Sequence, residues 1–332
     1  MSIKRILKRI SEELRATKEI SKITSFGEGI NTFLAKIDIQ RMNRNGYKES
    51  SKMKKRLLKK HKTMMNYFKK KFEPFLSTYK VKRSYEFNES LDNVIWLCWW
   101  QGEDNAPDIV KNCIDSIRKN SGEHEVIIIN KDNYKNYVSI PEWIEEKRNK
   151  GIITWTHMSD ILRLSLLSKY GGMWLDTTFF CNGSLDEYFS YDLWSIKRPD
   201  YLHCSIASGY FATYSLYVKN EYKWIFSVIL DMYLHYWSIT DSQIDYLTLD
   251  YMFVLAQEID PDIKKLFNSI PENNPECDEL CKILNLKYDL NTWNKLCYST
   301  KLFKLTWKQK FKTEHHNKKT YFSHIMQGDY EQ

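Results

Sequence analysis

Two apolar runs of strand length enclose one amphipathic helical pattern, and this restricts the fold more than any other feature of the chain. Val94-Ile95-Trp96-Leu97-Cys98-Trp99 and Glu125-Val126-Ile127-Ile128-Ile129-Asn130 are β-branched and aromatic, which suits buried strands. Between them Gln101-Gly102 breaks the first run and Pro107 suits a first helical turn. Ile109, Val110, Cys113, Ile114 and Ile117 recur at helical spacing, and Gly122 follows as a stop signal. Strand, helix and strand in this order predict parallel strands joined by a right-handed crossover, hence an α/β fold with a nucleotide-type layer. A loop-rich stretch with Pro141 and Gly151 comes next. Ser159 is then expected to cap a helix through Ile161, Leu162, Leu164, Leu166 and Leu167 to Tyr170, stopped by Gly171-Gly172. Met173 to Phe180 reads as a third strand with Asp176 in its second half. Ligands of open α/β sheets sit outside the carboxyl ends of the strands, so Asp176 is well placed for one. Beyond residue 185 the signals are less regular: helices are expected over 222–237 and 245–258, and aromatics alternate with Lys over 302–324.

The first 83 residues differ in charge from the rest. They hold 24 Lys/Arg and 7 Asp/Glu, whereas residues 84–332 hold 26 Lys/Arg and 35 Asp/Glu. Ile3, Ile6, Leu7, Ile10 and Leu14 interleave with Lys4, Arg5, Lys8 and Arg9, and a second basic helical stretch runs from Lys52 to Lys71. Residues 1–83 are therefore expected to be a basic helical arm or cap ahead of a mildly acidic body at 84–332. Such an arm suits an anionic membrane surface, the phosphates of a nucleic acid, or simply a helical cap with a solvated basic face. The acidic body argues against nucleic acid. No apolar run follows the charged N-terminus and none approaches the length that spans a bilayer, so the expected location is the cytoplasm, with peripheral attachment to the inner membrane face. Seven scattered cysteines fit free thiols, and Cys277, Cys281 and Cys297 lack the fourth ligand a zinc site needs.

The chemistry is concentrated in residues 159–178, SDILRLSLLSKYGGMWLDTT. Asp160 and Arg163 are three apart and share one helix face. Arg offers a planar fork of donors for a diphosphate or sugar hydroxyls, and Asp accepts from hydroxyls. The following strand returns Asp176 to the same crevice. Transfer of a sugar from a nucleotide donor needs these parts: carboxylates to hold the sugar, and a metal or cationic side chains to stabilise the leaving diphosphate. Taken singly, the Asp160/Arg163 spacing is also that of an ordinary surface ion pair.

Ser159-Asp160-Ile161-Leu162-Arg163 followed by Tyr170-Gly171-Gly172-Met173-Trp174-Leu175-Asp176 resembles the donor-site segment of glycosyltransferases with a DXD motif, among them the Och1-type mannosyltransferases and the glucosylating clostridial toxins. The resemblance extends to the bacterial capsular polysaccharide synthesis glycosyltransferases through Ile95-Trp96, Trp99-Trp100-Gln101-Gly102, Asn130-Lys131-Asp132-Asn133-Tyr134, Ile244-Asp245-Tyr246 and Lys304-Leu305-Thr306-Trp307-Lys308. It covers nearly everything from 91 to about 310. The resemblance implies a GT-A fold, that is, a Rossmann-like nucleotide-binding sheet flanked by helices, here with a helical N-terminal extension. It implies a nucleotide-sugar donor, with a UDP-sugar expected, and a retaining hexosyl transfer to a lipid-linked oligosaccharide acceptor. It further implies that Trp96, Trp99, Trp100 and Gln101 lie near the base, that Asp160 and Arg163 hold ribose and donor sugar, and that Asp176 takes the first DXD position. Trp307, Lys308 and His324 are candidates to close over the diphosphate.

One departure stands out. The third DXD position, where a carboxylate would bind Mn2+ or Mg2+, is Thr178, and a hydroxyl is a far weaker ligand for a hard cation. The expected divalent metal is then held by Asp176 with Asp245 or Asp250, or binds weakly, or is replaced by cationic side chains. Asp245 and Asp250 are alternatively expected to orient the acceptor. Two further readings remain: a sugar-phosphate transferase, and a non-catalytic scaffold in which Thr178 marks a lost metal site.

Overall fold

The computed structural model describes residues 3–83, 91, 93–199 and 201–328, and the side chains from residue 10 onward. The apolar and basic side chains expected to pattern the first nine positions, and the expected junction after residue 83, lie outside the described residues. The chain opens with three helices, α1 (Ile3–Ile23), α2 (Phe26–Arg44) and α3 (Ser51–Leu76). Ser25 and Ser50 cap the second and third by accepting from the N–H three residues on. Then follow β1 (Ile95–Cys98), α4 (Asp108–Lys119), β2 (Val126–Ile129), α5 (Glu142–Asn149), α6 (Trp155–Tyr170), β3 (Gly172–Leu175), β4 (Phe179–Cys181), β5 (Leu193–Ser195), β6 (Ser215–Val218), α7 (Trp224–Ser238), α8 (Thr248–Ile259), α9 (Pro261–Ser269), α10 (Glu279–Ile283), α11 (Leu290–Cys297), β7 (Leu302–Lys304), β8 (Glu314–His315), β9 (Lys318–Lys319) and α12 (Tyr321–Gln327).

The central sheet has the order β2-β1-β3-β6-β5. β1 pairs in parallel with β2 on one side (Ile95 opposite Val126) and with β3 on the other (Ile95 opposite Met173). The strand order thus reverses at β1, and a crevice opens beyond the carboxyl ends of β1 and β3 where a ligand of an open sheet is expected. The parallel part follows the expected strand–helix–strand pattern. The two strands that complete the sheet, β6 and β5, are antiparallel, so the sheet is mixed.

Two local expectations are corrected. The helix before β3 starts at Trp155, four residues earlier than Ser159. Thr154 is its cap, accepting from His157 N–H while His157 Nδ1 accepts from Thr154 N–H. Ser159 lies inside the helix, where its hydroxyl donates to Trp155 O and accepts from Trp100 Nε1. The expected strand 173–180 is broken at its acid: β3 ends at Leu175, Asp176 N–H donates to Tyr214 O, a tight turn closes with Phe179 N–H on Asp176 O, and β4 leaves to pair with β7. The break turns the acid out of the sheet and into the crevice.

Gly172 carries φ +78°, and a Cβ there would lie 2.4 Å from Val94 O. Only glycine permits β3 to pack this closely on the chain entering β1. The N-terminal helices share the main core: Ala16 and Ile20 of α1 and Met64, Tyr67, Phe68 and Phe72 of α3 are buried with the side chains of the sheet layer. A smaller cluster of Ala35, Met42 and Leu57 packs against Leu202. All seven cysteines are free thiols. No helix among the described residues is long and apolar enough to cross a membrane.

Candidate active site

A cavity of about 740 Å³ lies beyond the end of β3. Thr156, His157, Asp160 and Arg163 of α6 and Asp176 after β3 form one wall. Ile196, Arg198 and the segment 201–214 form the second, and Tyr246, Leu247 and Asp250 close a third side with Asp278, Lys282 and Lys304.

Arg163 is the hinge of the first wall. Its Nη1 donates to Asp160 Oδ1 and its Nη2 to Asp176 Oδ1, both at 3.1 Å, and its guanidinium lies 4.9 Å from the Trp174 ring centre. Trp174 Nε1 also donates to Asp176 Oδ1 (3.2 Å), and Tyr233 of α7 donates to Asp160 Oδ2 (3.2 Å). Helix α7 packs along α6 and so carries Tyr233 to the acid. Lys304 reaches the other oxygen of Asp176: Nζ is 2.8 Å from Oδ2 and 2.6 Å from Thr178 Oγ1. The β4–β7 pairing delivers this lysine, with Lys304 opposite Phe179.

The two acids differ in proton affinity. Burial pushes Asp160 up to about 6, against the pull of Arg163 and Tyr233. Burial would raise Asp176 as well, but Lys304 and Arg163 outweigh it and hold that carboxyl below its ordinary value. Asp176 keeps 31% side-chain exposure at the cavity wall, so it is available to a ligand. Arg163 Nε is buried and has no hydrogen-bond partner among the described residues.

Asp250, in the first turn of α8, also lines the cavity. Its carboxylate accepts from Ser205 and Thr213, and burial raises its proton affinity against those two donors. Asp245 does not line it. It lies 2.9 Å from Lys60 Nζ and 3.9 Å from Lys36 Nζ, accepts from Leu247 N–H, and is buried on the side of the N-terminal helices. Burial opposes its charge, yet Lys60 and Lys36 prevail and hold it at about 2.

The aromatic residues expected near a base are dispersed. Trp96 is buried in the core and donates to Gly171 O (3.0 Å). Trp100 is buried between Tyr134 and Trp155 and donates to Ser159 and Trp155 O. Gln101 is exposed on the turn after β1, with its carbonyl accepting from Asn105. None of them lines the cavity. Trp99 and Trp307 meet edge to face at 5.9 Å. Thr306 and Gln309, on either side of Trp307 and Lys308, do line it. His324 is buried away from it, stacked on Tyr288. His157 lines the cavity but is engaged as the cap partner of Thr154.

Around Asp176 a side-chain cation stands where a divalent metal is expected. Lys304 occupies both the free oxygen of Asp176 and the hydroxyl of Thr178, and among the described residues no three His, Cys, Asp or Glu side chains group as metal ligands. Lys304 stands in the resembling Lys304–Lys308 segment, but only the β4–β7 pairing gives it this place. Tyr233, Ser205, Arg198, Asp278 and Tyr47 likewise reach the site through long-range packing that no local pattern announces.

A family model described as capsular polysaccharide synthesis protein matches residues 44–325. No curated protein matches the chain. Among solved structures, an apo structure of WbbM, a bifunctional glycosyltransferase, is similar with a TM-score of 0.40 and 8% identity over 79% of this chain. The similar region spans 56% of that structure's chain.

Proposed function

From the premise that this chain belongs to the capsular polysaccharide synthesis family, we propose that it is a glycosyltransferase of the GT-A type, moving a hexosyl group from a nucleotide-sugar donor, a UDP-sugar first among them, to a growing, lipid-linked surface polysaccharide. The single observation that carries the reading is the ring of Asp160, Arg163, Asp176 and Lys304 beyond the end of β3. Two acids and two cations at a strand-order reversal are what a sugar bearing a diphosphate requires. In this reading Arg163 and Lys304 neutralise the leaving diphosphate, while Asp160 and Asp176 accept from donor hydroxyls. Lys304 moves its charge from Asp176 to phosphate as the donor enters. The acceptor hydroxyl attacks the anomeric carbon from the face the diphosphate leaves; the bond from that carbon to the phosphate oxygen breaks and the departing diphosphate takes the hydroxyl proton, so configuration is retained and no nucleophilic side chain is needed. Asp250 is proposed to orient the acceptor, and Asp245 to hold Tyr246 and Leu247 in place.

Lys304 is proposed to take the role that Mn2+ or Mg2+ plays in a metal-dependent transferase. Peripheral attachment to an anionic membrane surface is proposed through α1 and α2. Ile10, Leu14, Phe26, Ile30 and Leu34 are exposed there beside exposed Arg15 and Lys18, a pattern that suits a lipid interface.

The test is product analysis with UDP- and GDP-sugars, with and without manganese. Nucleoside diphosphate release supports glycosyl transfer. Monophosphate release favours sugar-phosphate transfer, and no turnover with any donor favours a scaffold.

A further inference from the structure

The cavity has a second polar end, lined by Arg198, Tyr201 and Asp278. Arg198 Nη1 donates to Asp278 Oδ2 (2.7 Å) and Nη2 to Tyr214 OH (3.0 Å). Tyr201 donates to the same Asp278 oxygen, and its ring lies 4.2 Å from the Arg198 guanidinium. Arg198 Nε is buried without a hydrogen-bond partner among the described residues. Such a group is rare unless water or a ligand meets it.

Tyr47 comes to this end from the turn between α2 and α3. Its backbone is left-handed (φ 61°), a conformation that bulky side chains seldom adopt. Its N–H is tied to Met42 O at 2.8 Å, and its half-exposed ring lines the cavity together with Tyr201 and Lys282. The left-handed turn that ends α2 thus presents an aromatic ring to the cavity.

The two ends are one tyrosine apart. The Tyr214 ring centre is 5.4 Å from Lys304 Nζ, and its hydroxyl accepts from Arg198. The charges at the second end are matched within the protein, Arg198 by Asp278 and Lys282 by Glu279. What remains is aromatic face and hydrogen-bonding capacity, which suits sugar hydroxyls better than phosphate.

We propose that Tyr47, Arg198, Tyr201 and Asp278 form the acceptor subsite and take an uncharged sugar ring, packed on Tyr47 and held through its hydroxyls by Asp278 and Tyr201, which Arg198 positions. The proposal rests on the glycosyltransferase reading above. It also makes the N-terminal helices part of the substrate cavity.

Saturation-transfer NMR of the full chain tests it, with a panel of free hexoses and N-acetylhexosamines in the presence of UDP or GDP. The wild type should give a signal with at least one sugar. Tyr47→Ala and Asp278→Asn should each weaken that sugar at least tenfold while nucleotide affinity, measured by calorimetry, stays within twofold. Far-UV circular dichroism and thermal midpoints check that the variants fold, and Arg198→Lys supplies a third variant should Asp278→Asn fail to. Unchanged sugar signals, loss of nucleotide affinity instead, or a wild type that binds nucleotide but no sugar of the panel would overturn the proposal. A wild type that binds sugar but no nucleotide would refute the donor reading, not this subsite.

Discussion

The ammonium of Lys304 stands 2.8 Å from Asp176 Oδ2, joining two residues 128 positions apart and placing a cation against the acid at the end of β3. A lysine in this position supplies the charge that a leaving diphosphate needs. Lys304→Met should therefore reduce transfer by about a hundredfold or more, with little change in thermal midpoint. Chelation with EDTA should leave wild-type transfer within a few-fold of its original rate. Full loss on chelation, restored by Mn2+, would show that a metal displaces Lys304 at Asp176.

Asp160 gives the site a pH dependence. With its proton affinity raised to about 6, donor affinity should fall as pH drops through 6, and Asp160→Asn should flatten that profile. Tyr233→Phe removes a donor to the carboxylate and should move the midpoint upward. The sign for stability is opposite. The native state holds the Asp160 proton more tightly than the unfolded chain does, so this group favours folding most at acid pH, below about 4, and loses that contribution as pH rises through about 6. Urea titrations should show wild type losing on the order of 2–3 kcal/mol relative to Asp160→Asn between pH 4 and pH 7.

Lys60 and Asp245 form a buried ion pair between α3 and the loop before α8. Lys60→Met leaves the acid facing only Lys36 and should cost about 2–4 kcal/mol. Lys60→Met combined with Asp245→Asn, which preserves the acceptor for Leu247 N–H, should recover most of it. A double variant as unstable as the single one would contradict the pairing. Asp245→Asn alone should lower stability without a selective loss of turnover at saturating donor; a selective loss would return Asp245 to the catalytic set.

Deleting residues 1–83 should not release a working soluble domain. It removes Tyr67, Phe68 and Phe72 from the core and frees His203, whose N–H and ring are held by Glu49 and whose carbonyl is held by His61. The expected product is aggregated or protease-sensitive chain. Membrane attachment is better tested with Ile10→Ser and Leu14→Ser, which should lower co-sedimentation with anionic vesicles several-fold and leave turnover intact. Equal binding by the variant would remove the interface proposal.

The parallel half of the sheet was legible because its strands are apolar runs and the helix between β1 and β2 has a clear apolar stripe. The donor wall was legible for a related reason. Asp160 and Arg163 share a helix face, and two glycines return the chain to Asp176 within a few residues. What escaped was long-range. The strand breaks at Asp176 because the chain passes there from its pairing with β6 to a pairing with β7, and neither partner is local. Thr154 caps α6 in place of Ser159, since the capping box with His157 lies outside the apolar stripe that marked the helix. The tryptophans at the end of β1 carried the right side-chain chemistry for a base, but Trp96 and Trp100 are consumed by Gly171 and Ser159.

The central claim is that Asp160, Arg163, Asp176 and Lys304 together hold an activated sugar. Calorimetry of the full chain with UDP- and GDP-sugars, set beside Asp176→Ala, tests it most directly. The account predicts saturable binding of at least one nucleotide-sugar by the wild type, and transfer abolished in a variant that remains folded. Absence of binding under every ionic condition, or full transfer by Asp176→Ala, would contradict it.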